Sequence, residues 1–148
     1  MYLSAAHSFS SAAAALEAEY ERDEADLTAR LFVSSRISEA RNHCAAGAYQ
    51  LAQEAVEAGL DLLGNPDDSE GRIAKIQGLM ILGIAKILST TENNISLGIE
   101  ALQKARTTAD ELDDYRWITR SRLILAKALW RRGLAQDRES AKDLLLAM

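Results

Sequence analysis

Proline occurs once in this chain, at Pro66, cysteine once, at Cys44, and histidine twice, at His7 and His43. A single proline leaves nearly the whole chain free to run as helix. A single cysteine excludes an internal disulfide and suits a reducing compartment. Aromatic residues are only 5% of the total, whereas Ala, Leu, Glu and Arg dominate, a bias that favours helix. Long apolar runs are also missing. The most apolar stretch, 78–88, contains Lys86 and is too short to span a bilayer. No basic segment followed by an apolar core opens the chain, so no signal peptide and a cytoplasmic location are expected.

What is present is a soluble globular composition, 48% hydrophobic and 26% charged, in 148 residues, enough for one domain with a real core. The net charge of −5 gives no bulk attraction to nucleic acid. Its distribution is uneven. Residues 1–70 hold 4 Lys/Arg against 13 Asp/Glu, residues 71–114 hold 5 against 6, and residues 115–148 hold 8 against 3. An acidic head and a basic tail allow a head-to-tail contact between copies, which is heterologous and can propagate.

Apolar spacing of three and four predicts about seven helices. The first, 3–22, uses Ala5, Phe9, Ala12, Ala13, Leu16 and Tyr20 as a packing stripe. The acidic stretch 17–26 reads as a solvated helix end or a bend. The second, 25–46, would turn Leu27, Leu31, Ile37 and Ala40 inward and stop at Gly47. Further helices are expected at 49–63, 70–88, 94–111, 114–132 and from Asp137 onward. The clearest break is 64–69, where Gly64 and Pro66 end one helix and Asp68 or Ser69 caps the next. The segment 89–93 reads as a turn, and Gly133 as a stop. No segment alternates as a strand does. The expected architecture is all-α in a single domain, with antiparallel hairpins at about 25–64, 70–112 and 114–148.

A 43-residue step links two of these hairpins. Leu82-Gly83 is echoed by Leu125-Ala126, and Gly98, Leu102 and Ala105 by Ala141, Leu145 and Met148. A fainter copy has Ala40, then Ala52, Val56 and Gly59. Gly or Ala at these places lets paired helices approach closely, and the large residue fills the gap between hairpins. The pattern resembles the tetratricopeptide repeat over roughly 30–148, with a step longer than the usual 34 residues or so. Longer degenerate repeats of this sort resemble those in the arm regions of bacterial maltose-activator-type regulators. The resemblance implies a right-handed α-solenoid that binds other chains.

Catalytic and metal motifs are sparse. His43-Cys44 could suggest an activated thiol, but neighbours on a helix point about 100° apart. Glu39 and His43 could share a metal, but no second such pair exists, and a lone pair of this kind is usually a solvated helix face. The acidic segment 65–70 lacks the ligand alternation of a calcium loop, and no phosphate-binding glycine loop, zinc pattern or serine elbow occurs. Arg116, Arg120, Arg122, Lys127, Arg131 and Arg132 share one helix with Trp117 and Trp130. That could meet nucleic acid. The acidic first half argues against it and favours inward-packed tryptophans with solvated arginines. The expected function is non-catalytic, with no cofactor.

In tetratricopeptide folds the first helix of each pair lines a concave groove. By position, the resemblance implies a groove lined by Arg41 and Cys44, then Gln77, Met80 and Ile84, then Arg120, Lys127 and Arg131. An apolar floor with basic edges suits an amphipathic or acidic peptide of a partner protein. Two other readings remain open. One is a sensor that encloses a peptide or small effector in an internal pocket. The other is a self-assembly module. The last helix, with Leu144, Leu145 and Leu146, is expected to leave an apolar face incompletely covered, as in a fragment or at a subunit contact.

Overall fold

A computed structural model describes the backbone of residues 2–89 and 92–147 and the side chains of 11–89 and 94–147. Among these residues there are six α-helices and no strand: α1 Tyr2–Ala45, α2 Tyr49–Leu63, α3 Ser69–Leu88, α4 Glu92–Leu112, α5 Tyr115–Arg132 and α6 Ala135–Leu146. The places expected for Ala5, Phe9, His7, Met148 and the centre of the 89–93 turn fall outside the described residues or side chains.

The count is six and not about seven because the first two expected helices are one. No glycine or proline occurs before Gly47, so nothing in the acidic stretch 17–26 interrupts the backbone hydrogen bonds. Thr28 Oγ1 donates back to the Glu24 carbonyl at 2.9 Å, as inside a continuous helix.

The chain divides into two units, one ending at Phe32 and the other beginning at Val33. The first contains the early part of α1 alone. Its Leu16, Tyr20, Leu27 and Leu31 are between 57 and 68% exposed. Leu27 and Leu31 were expected to face inward with Ile37 and Ala40, and they do not. The physical reason is angular. Leu31 to Ile37 is six residues, which turns a side chain by roughly 240° at 3.6 residues per turn. Val33, Ile37 and Ala40, spaced four and three apart, form the buried stripe instead.

The second unit is built helix against helix. The end of α1 meets α2, where Ala40 packs with Ala55 and Val56. Then α2 packs on α3, α3 along α4, α4 on α5 and α5 on α6, while α3 also touches α5. Two small residues of the 43-residue step, Gly83 and Gly98, mark a close approach of α3 and α4. A β-carbon built on Gly83 would lie 2.7 Å from Leu102 Cγ and 2.9 Å from the Gly98 carbonyl oxygen. One built on Gly98 would lie 2.7 Å from the Gly83 carbonyl oxygen. None of these distances is tolerable, so two glycines are what allow α3 and α4 to touch backbone to backbone. Ala126 and Ala141 occupy the matching buried places in α5 and α6. Leu102 is buried as expected, but its counterpart Leu145 is 43% exposed, and Leu144 takes the interior position.

The ends of the helices follow local chemistry. Asp68 accepts from the Gly71 N–H at 3.2 Å, and Asp114 from the Arg116 N–H at 3.0 Å, each capping a helix start. Gly133 adopts the left-handed conformation that closes α5. Immediately after it, Asp137 receives two bonds from Arg132, at 2.7 and 2.6 Å, and one from the Leu134 N–H at 3.1 Å. This places α6 two residues earlier than expected and locks it to the end of α5.

Candidate partner-binding surface

Helices α3 and α5 come into contact with α4 behind them, and an apolar hollow of about 220 Å³ remains where they meet. Its lining is Ile84, Ile87 and Leu88 from α3, Leu102 from α4, and Ile124 and Ala128 from α5, with Lys127 and Arg131 also on α5. The spacing explains the arrangement. Ile84, Ile87 and Leu88 lie within one turn of α3. Ile124, Lys127, Ala128 and Arg131 are three or four apart and form a continuous strip along α5. Part of the lining, including Ile87, Leu102 and Ala128, belongs to the largest buried cluster of the molecule, so the floor is fixed by the core.

Lys127 and Arg131 are exposed, and among the described residues neither forms an ion pair. Two cations therefore stand beside an apolar floor, and no carboxylate among the described residues neutralises them. The same outer face of α5 carries Leu123, 37% exposed, and Trp130, 51% exposed. The guanidinium of Arg138, from α6, stacks over the Trp130 ring at 5.2 Å. Trp130 thus departs from the expectation that both tryptophans pack inward. Trp117 does pack inward, buried against Ile76 and Ala109, with Arg116 and Arg120 over its ring at 5.7 and 5.3 Å.

Of the residues expected to line a groove, the hollow brings together Ile84, Lys127 and Arg131. The others lie outside its lining. Gln77 is half-buried on α3. Met80 packs against two of the core clusters. Arg120 is engaged with Trp117. Arg41 is exposed on α1. Ile124 and Trp130 were not anticipated. Their signal was available, since each is three residues from Lys127 and so shares its side of the helix.

A second hollow, about 450 Å³, lies between α4, α5 and α6. Its lining is mixed, with Leu125, Leu129 and Leu144 beside Arg106 and Arg122. Asp110 sits 3.6 Å from Arg106 and 3.4 Å from Arg122, so these cations are already partnered.

Burial pushes the Cys44 thiol above its ordinary value, the direction that disfavours a thiolate. His43 Nε2 is 3.5 Å from Glu39, whose carboxyl is held below the usual range chiefly by the hydrogen bond from Arg36. Among the described residues no three His, Cys, Asp or Glu side chains converge as a metal site, and no helix is long and apolar enough to cross a membrane. Comparison with protein-family models, curated proteins and solved structures gives no significant match.

Proposed function

We propose that this chain is a non-catalytic protein-interaction module, a tetratricopeptide-like stack of hairpins with a right-handed superhelical course, that binds an amphipathic helix of a partner. The observation that carries the reading is the juxtaposition of the apolar hollow with the cations Lys127 and Arg131, unpaired among the described residues. An apolar floor beside basic groups favours a helix with leucine-like anchors and acidic flanks. Trp130 and Arg131 are residue types that dominate interface energetics when a partner covers them.

Size favours anchors over a small effector. Small-molecule pockets run from about 300 to 1,000 Å³, and this hollow has about 220 Å³. An apolar cavity of about 150 Å³ accepts one benzene, so the space here suits one or two leucine-sized side chains.

The test uses a fluorescent model peptide with leucines at three- and four-residue spacing and glutamates elsewhere, and a second peptide with lysines in place of the glutamates. Anisotropy should report binding of the acidic peptide and at least tenfold weaker binding of the basic one. Ile84→Glu should abolish binding with helicity unchanged. The surface pair Lys127→Glu with Arg131→Glu should weaken it without touching the core. Binding of neither peptide, or binding indifferent to all three substitutions, would overturn the reading.

A further inference from the structure

The first unit carries an apolar stripe that none of its described residues covers. Leu16, Tyr20, Leu27 and Leu31 are all more than half exposed on α1. Their spacing is four, seven and four. At about 100° per residue they fall within roughly 60° of arc, a single narrow face. Carboxylates border that face. Asp23 lies three after Tyr20 and four before Leu27, and Glu19 and Glu24 flank it. Over 11–32 the helix has six Asp/Glu against two Arg, whereas α5 has six Lys/Arg and no acid. An apolar stripe edged with acids is the chemistry that the hollow between α3 and α5 takes.

We propose that the occupant of this hollow is the acidic helix of a second copy of the same chain. The inference rests on the reading of the hollow as a helix-binding site and names its partner. One or two of the stripe's leucine or tyrosine side chains enter the apolar floor, and Asp23 with its neighbours comes to Lys127 and Arg131. The two surfaces are different parts of the chain, so the contact is heterologous. Each copy offers one helix and one hollow, so copies can add in a row unless the rotation closes a ring.

Sedimentation velocity on the full chain tests this. The wild-type chain should associate with rising concentration, and less so as salt is raised, because exposed charges are screened beyond a few ångströms at high ionic strength. Leu16→Gln with Leu27→Gln removes the stripe from exposed positions while keeping a good helix former. Lys127→Glu with Arg131→Glu spoils the hollow. Each variant alone should remain a monomer where the wild type associates. An equal mixture of the two should give one-to-one dimers and nothing larger, since one intact helix and one intact hollow remain. A wild-type chain that stays monomeric at low salt and high concentration overturns the proposal. So does association that survives loss of the stripe, and so does a mixture that fails to pair. Anisotropy of the acidic model peptide on the stripe variant, whose hollow is intact, separates the two readings. Peptide binding by this variant, together with a wild-type chain that does not self-associate, removes only the second copy as partner. No peptide binding and no wild-type self-association removes the helix-binding site itself.

Discussion

Two glycines set how close α3 and α4 can come, and their removal should be costly in an unusual direction. Ala is the better helix former by about 1 kcal/mol. At Gly98, however, the added methyl would lie 2.7 Å from the Gly83 carbonyl oxygen, which is backbone and cannot turn aside. Overpacking of this kind costs about 1–3 kcal/mol. Gly98→Ala should therefore lower the urea midpoint despite its better propensity, and an unchanged or raised midpoint would contradict the close approach. Asp137 makes a second residue-scale prediction. It is 2% exposed, and the hydrogen bonds from Arg132 hold its carboxyl below the usual range, with help from the Leu134 N–H. A lowered folded-state value means that the stabilisation is fully present above the unfolded value, near 3.9, and is lost as pH falls through the folded one. Asp137→Asn should cost about 2 kcal/mol at neutral pH, the scale of hydrogen bonds to a charged group. The gap to wild type should narrow below about pH 4. Urea unfolding of both chains at pH 7 and pH 3 measures this.

At the scale of the element, α1 shows what spacing does and does not reveal. Helix formation itself was legible from the composition. So were the ends at Gly47, Gly64 and Gly133, because left-handed glycines and proline leave an imprint in the sequence. The continuity of α1 was harder to read, since an acidic stretch resembles a solvated connection while containing no residue that stops a helix. The two faces of α1 were harder still. Leu27, Leu31 and Ile37 look like one stripe unless the turn of each residue is followed. The distinction has energetic consequences. Ile37→Ala should cost about 2–4 kcal/mol, as for other buried aliphatic truncations. Leu27→Ala with Leu31→Ala should stay within about 0.5 kcal/mol each in dilute monomer, as surface changes do. Similar losses at the two faces would contradict the burial.

For the whole molecule, the 43-residue step located the packing sites well and the large interior residue less well. Gly83, Gly98, Ala126 and Ala141 all lie at buried places. Leu145 does not: α6 turns Leu144 inward and leaves Leu145 43% exposed. The candidate site was half legible. Ile84, Lys127 and Arg131 were found from repeat position alone, but positional analogy cannot tell which groove residues the core has already taken, as it has Met80, or an aromatic ring, as it has Arg120. Charge polarity, visible in the raw sequence, gains meaning once α1 presents acids beside an exposed stripe and α5 presents cations beside a hollow.

The central claim, that the space between α3 and α5 receives an acidic amphipathic helix, is tested most directly by methyl spectra of an isotope-labelled chain titrated with the acidic model peptide. The methyl signals of Ile84, Ile87 and Ile124 should shift together and saturate together, while those of Ile73 and Ile76, in the separate cluster around Trp117, stay in place. Saturable shifts confined to Ile73 and Ile76, or no shifts at any isoleucine, would contradict it.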